Sequence, residues 1–199
     1  MKPEFELRFY PIHKESLEKS LFRNGALLHK DGYRVLMKRV IFNVNNKQRK
    51  WLRIRSEGDR TTITFKQSIN SAAIDGTYEH EIVVDNNNFQ PFVDLFSILG
   101  YKQLSFQESI RTTFSFENCK VTIDEWPGLE PLLEIEGVCA EDVYKAAELL
   151  GLYNPFPGDI PEIYKQEYGI SLAKFNAIKN LTFENFKNVF LNINKTDTL

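Results

Sequence analysis

This chain of 199 residues has little of what most sequence-readable active sites are built from. Its two cysteines, Cys119 and Cys139, have neither metal-finger nor redox-motif spacing. They read as reduced core thiols rather than a disulfide. The three histidines, His13, His29 and His80, assemble into no zinc spacing and no serine–histidine–aspartate set, and no glycine-rich phosphate loop is present. No apolar run is as long as a membrane span, and the first residues do not resemble a signal peptide. A cytoplasmic location follows as the expectation. The net charge of −2 offers no broad basic field, so neither nucleic acid nor an anionic membrane is expected as a partner.

What is present is alternation. A composition of 42% hydrophobic and 26% charged residues is that of a folded chain, and the length suits one domain or one domain with an appendage. In a strand, neighbouring side chains point to opposite faces. "EFELRF" therefore puts Glu4, Glu6 and Arg8 on one face and Phe5, Leu7 and Phe9 on the other. "LLEIEG" repeats the device, with Glu134 and Glu136 opposite Leu133 and Ile135. Carboxylates about 6–7 Å apart along one strand repel each other unless they face water or a cation lies between them.

The same pattern continues along the chain. Arg53 and Arg55 alternate with Leu52 and Ile54, and Thr62, Thr64 and Lys66 with Ile63 and Phe65. Glu79 and Glu81 alternate with His80 and Ile82, Arg111 aligns with Ser109 and Thr113, and Asp124 aligns with Thr122 and Trp126. Gly58-Asp59 is the turn of a hairpin. Three segments have helical spacing instead: one with Leu17 and Leu21, one with Phe89, Phe92, Val93, Phe96 and Leu99, and "AEDVYKAAELLG". Water on the polar face of an ordinary antiparallel sheet would explain any single strand. It does not explain why acids and arginines segregate, nor what the apolar helical stripes cover. If helices cover the apolar strand faces, the charged faces point inward. A closed antiparallel barrel with a polar lumen satisfies both demands, and buried charge of both signs suits a lumen that holds a polyanion and metal ions.

The ordered set "EFELR", "RIR", "TFK", "EHE", "TIDEWPG" and "EIE" resembles the CYTH superfamily, the triphosphate tunnel metalloenzymes, over about residues 4–168. Within it, "DEWPGLEPLLEIEG" resembles the bacterial branch labelled class IV adenylyl cyclase-like. Arg8 stands where the family motif has lysine, which keeps the charge and adds a planar donor fork. The resemblance implies an α+β fold: a closed eight-stranded antiparallel barrel, or tunnel, with a charged lumen and helices outside. It implies that Glu4, Glu6, Asp124, Glu134 and Glu136 hold Mg²⁺ or Mn²⁺, a hard cation suited to oxygen ligands. It also implies that Arg8, Arg53, Arg55, Lys66 and Arg111 bind the triphosphate chain. Arg39 joins that set as a candidate, although its strand alternates poorly. Glu79 and Glu81 could ligate metal, balance charge or orient the arginines; orientation is preferred.

The expected activity is metal-dependent hydrolysis of inorganic tripolyphosphate or a nucleoside triphosphate. The alternatives are a cyclase making cyclic AMP and pyrophosphate from ATP, and a non-catalytic polyphosphate- or nucleotide-binding module. Residues 1–170 are read as the tunnel domain and 171–199 as a C-terminal helical extension. That extension has Phe183, Phe186 and Phe190 at helical spacing. It is expected to pack on the barrel or close one tunnel end, with a homodimer contact as the sharper possibility.

Overall fold

Strand alternation and helical stripes settle into a curled sheet with the first three helices on its outer face and the later ones packed beside the concavity. The computed structural model describes residues 2–3, 5–44, 50–68 and 77–195. Eight longer strands follow in chain order: β1 (Phe5–Phe9), β2 (Val35–Phe42), β3 (Lys50–Ser56), β4 (Arg60–Ser68), β5 (Thr77–Asp85), β6 (Gln103–Phe116), β7 (Cys119–Glu125) and β8 (Leu132–Gly137). They pair antiparallel in the spatial order β5-β4-β3-β2-β6-β7-β8-β1. Two meanders, β2 to β5 and β6 to β8, are joined through β2 and β6, and β1 is added against β8.

The curl is strong enough that Lys2 and Pro3 pair with Glu79 and Tyr78 on the far edge strand β5. Among the described residues the edges pair no further, so the sheet is a strongly curled half-barrel within an α+β fold.

The helices are α1 (Lys14–Arg23), α2 (Phe89–Ile98), α3 (Ala140–Leu149), α4 (Ile160–Tyr168), α5 (Leu172–Ala177) and α6 (Phe186–Lys195). Leu17 and Leu21 of α1 and Val143 and Ala146 of α3 bury against Leu7, Phe9, Phe114, Val121, Ile123, Leu133 and Ile135. Val93 of α2, flanked by Phe89, Phe92 and Phe96, does the same over Val40, Phe42, Leu52, Ile54 and Ile63. Each fully buried aliphatic or aromatic side chain contributes about 1.5–3 kcal/mol. A third cluster joins Ile163, Tyr164, Phe175 and Phe190 from the last helices to Trp126 and Leu132. The apolar strand faces are thus the covered ones, and the charged faces line the concavity.

Three sequence expectations change. Leu99 caps α2 rather than extending its stripe, and is 62% exposed. Phe183 precedes α6 and is also exposed, leaving Phe186 and Phe190 to pack. The short helix α5 and the two-residue strand Asn180–Leu181, parallel to Phe106 and Gln107, had no legible period. Both cysteines are free thiols. Among the described residues no helix is long and apolar enough to cross a membrane.

Candidate functional site

The concavity holds a cavity of about 1430 Å³. Each wall strand contributes alternate residues: Glu6 and Arg8 from β1, Arg39 from β2, Arg53 and Arg55 from β3, Lys66 from β4, and Glu79 and Glu81 from β5. Arg111 comes from β6, Asp124 from β7, and Glu134 and Glu136 from β8. Every candidate site residue from the sequence therefore lines one cavity, apart from Glu4, which lies outside the described residues. Arg39 had looked uncertain because the cavity face of its strand also carries Val35, Met37 and Ile41, which hides the alternation.

One side of the cavity is acidic. Antiparallel register sets Glu6 directly opposite Glu136 and Arg8 opposite Glu134. Glu134 accepts from Arg8 Nε at 2.9 Å, from Arg8 Nη2 at 2.6 Å and from Arg111 Nη2 at 3.1 Å. Burial alone would raise the Glu134 carboxyl, but Arg8 and then Arg111 hold it well below the usual carboxylate range. Asp124, 1% exposed, takes Arg111 Nε at 2.7 Å and Arg111 Nη2 at 2.5 Å. Burial works against the Arg111 charge, yet Asp124 and Glu134 raise its pKa further. Lys120 pairs with Glu136.

Directly opposed cross-strand carboxylates stand about 4.5–5.5 Å apart at Cβ and destabilise each other. The Glu6–Glu136 pair is such a placement on the cavity face, beside the doubly bridged Glu134. An all-oxygen donor set of this kind fits a hard divalent cation and offers a soft one nothing. Among the described residues no group of three acids, histidines or cysteines converges tightly enough to hold a metal by itself.

The opposite side is basic. Arg39 and Arg55 are cross-strand partners, and Arg53 lies two residues before Arg55 on the same face. Burial first, then Arg55, Arg53 and Arg111, push the Arg39 pKa well down. Burial and Arg55 lower Arg53 to about 10. Guanidinium groups remain charged in proteins, so these directions mark charge held away from water first and beside like charge second, and an anion would relieve the second part. The Nε atoms of Arg39 and Arg53 are buried and, among the described residues, have no hydrogen-bond partner. An unpaired buried donor is costly and rare.

The rest of each side chain is held. Arg39 stacks 4.3 Å from the Trp126 ring centroid and donates to the Ser109 hydroxyl. Arg53 Nη2 donates to Thr64 Oγ1 at 3.3 Å and lies 4.0 Å from Glu79, which also takes Lys66 at 2.9 Å. Glu81 accepts from Thr64 Oγ1 at 2.9 Å. His80 is exposed and does not line the cavity.

Sequence reasoning missed Glu57. Its carboxylate accepts from Arg55 Nε at 2.6 Å, from Arg60 Nε at 3.0 Å and from Thr62 Oγ1 at 3.2 Å. Burial would raise it, but Arg55 and Arg60 lower its pKa to about 2. The signal was present: Arg53, Arg55 and Glu57 continue one i, i+2 row into the turn. That turn is closed by Gly58 at φ +84°, a conformation glycine accepts without strain. Also missed were Lys120 and the segment 156–162, a Pro/Gly-rich stretch without a period that lines the cavity.

Comparison with known proteins matches the CYTH domain family model to residues 2–153. A conserved hypothetical protein of Pyrococcus furiosus has 22% identity over 80% of this chain and 99% of its own, with a TM-score of 0.67. A provisionally named adenylate cyclase of Vibrio parahaemolyticus has 14% identity over 82% of this chain and 98% of its own, with a TM-score of 0.68. A similarly named protein of Bacillus halodurans has 16% identity over 84% and 98%, with a TM-score of 0.56. At these identities the structures share a fold. No curated protein matches.

Proposed function

The chain belongs to the CYTH domain family, and on that premise we propose that it is a divalent-metal-dependent hydrolase of triphosphates bound in its cavity. The observation that carries the reading is the basic wall: Arg39 and Arg53 crowd against Arg55 with buried, unpaired Nε donors, facing a carboxylate cluster across one cavity. A linear polyanion is the ligand that relieves this repulsion and fills those donors. The edge pairing of Lys2 and Pro3 with β5 supports the finer reading of the half-barrel as a closed eight-stranded tunnel.

In this reading Glu6, Glu134 and Glu136, with Glu4 and Asp124, hold Mg²⁺ or Mn²⁺, which when bound neutralises phosphate charge and supplies an activated water. Arg8 and Arg111 favour the ionised form of Glu134, which suits a metal ligand better than a proton donor. Arg39, Arg53, Arg55 and Lys66 hold the chain along the opposite wall. Glu79 fixes Arg53 and Lys66, and Glu57 fixes Arg55. Water attacks the terminal phosphorus and the bond to the bridging oxygen breaks. Charge gathering on the departing diphosphate group falls against these fixed cations, where preorganised donors stabilise it most.

The test offers purified protein tripolyphosphate and ATP with Mg²⁺ or Mn²⁺ and separates the products. Orthophosphate with pyrophosphate, or with ADP, is the expected outcome. Cyclic AMP with pyrophosphate would replace hydrolysis by the cyclase reading. Binding without turnover under both metals would leave a binding module.

A further inference from the structure

Arg8 is held differently from the arginines of the basic wall. Its Nε and Nη2 donate to Glu134 and its Nη2 also to Glu6 at 2.6 Å, while Nη1 donates to the Gly158 carbonyl at 2.5 Å. Its own carbonyl accepts from the Phe156 N–H at 2.7 Å. One residue thus ties two carboxylates of the acidic side, by one arm, to a segment 150 positions away, by the other. Where Arg39 and Arg53 keep a buried donor unpaired, Arg8 has both arms committed to protein acceptors.

The segment it grips is otherwise held by packing, through Phe156 and Ile160 on the Trp126 cluster, with Phe156 edge-on to Tyr10. Residues 156–162 line the cavity, yet Pro155, Pro157 and Pro161 have no N–H to give. Gly158 sits in a tight fit, where a Cβ would stand 2.7 Å from Glu162 Cβ and 2.8 Å from Phe156 Cε1. Farther on, α4 is pinned independently by Tyr164 Oη, which donates to the Pro127 carbonyl at 2.6 Å. The family match ends at residue 153, just before this wall.

We propose that Arg8 is a positioning residue, a latch that fastens the 156–162 wall to Glu6 and Glu134, and not a ligand of the phosphate chain. The task needs a guanidinium. Its planar fork reaches acceptors on opposite sides at once, whereas an ammonium is one point at the end of a flexible stem. The wall and the acidic side are thereby held as one body, and the anion is left to Arg39, Arg53, Arg55 and Lys66.

The proposal rests on the triphosphate reading for its second half only, and the experiment keeps the halves apart. Amide hydrogen exchange of peptides covering 156–162 is compared between wild type and Arg8→Lys, and tripolyphosphate affinity is measured by calorimetry on both. Exchange at least tenfold faster in that segment, with Kd changed less than threefold, is the expected result. Unchanged exchange overturns the latch, and a Kd weakened more than threefold overturns the claim that Arg8 leaves the anion alone. If wild type binds no tripolyphosphate, the triphosphate reading falls while the exchange data still decide the latch. Should Arg8→Lys not fold, Arg8→Gln is read in the same way. Failure of both to fold overturns the proposal, since a loop latch is not needed for the sheet.

Discussion

On the proposed reading, a buried arginine without a full set of acceptors is unfavourable until the anion binds, so the basic wall would trade stability for binding. Arg39→Met keeps the stem over Trp126 while deleting the charge that Arg55, Arg53 and Arg111 repel. Thermal melting should show the ligand-free variant as stable as wild type or more so. Tripolyphosphate affinity should fall roughly 10- to 100-fold, the worth of one charged hydrogen bond at about 1.5–3 kcal/mol. A destabilised variant that still binds would mean that Arg39 serves the fold. Glu57 behaves oppositely, because its pKa near 2 lies below that of an unfolded glutamate. A depressed carboxyl stabilises above the unfolded pKa, and that contribution is lost as pH falls through the folded one. Denaturant titrations should give Glu57→Gln a deficit of about 3 kcal/mol at neutral pH, shrinking between about pH 4.5 and 2. A deficit that does not change with pH would remove the charge from the explanation.

At the scale of elements, helices α1, α2 and α3 decide which way the sheet curls its charge. Leu21 of α1 is fully buried among Leu7, Phe114 and their neighbours. Leu21→Ala should cost about 2–5 kcal/mol, read as a lower denaturation midpoint, because the site collapses only partly around the cavity. Affinity for tripolyphosphate should stay within error, since the cavity lies on the other face of the strands. The row Glu6–Arg8 and the row Leu7–Phe9 are one strand with two separate jobs. Alternation made β1, β3, β4, β5, β6, β7 and β8 legible in the sequence. It was weak for β2, whose cavity face is mostly apolar, and gave nothing for segment 156–162, although helical spacing did mark Phe186 and Phe190 of α6.

For the whole molecule, the cavity is a bipolar vessel: carboxylates on β1, β7 and β8 face guanidinium groups on β2 and β3. A ligand bridging the two sides binds only the folded state and stabilises it by mass action, about 2.7 kcal/mol at one hundred times Kd. For a chain of this size that is roughly 5–10 °C in Tm. Scanning fluorimetry with tripolyphosphate and Mg²⁺ or Mn²⁺ should show that shift in wild type and lose most of it in Arg39→Met. No shift with either metal would argue against an anion site in the cavity.

The sequence by itself determined which side chains share a face, because period-two alternation is a local property of extended backbone. That was enough to collect nearly all the candidate site residues before any tertiary contact was known. It could not say which charges would meet. Arg8 finds Glu134 across 126 positions and Gly158 across 150, while Arg111 takes Asp124 and Glu134 together. Those partnerships depend on strand register, sheet curl and the return of the chain over the cavity. Each is fixed by packing among distant residues, which no local period records.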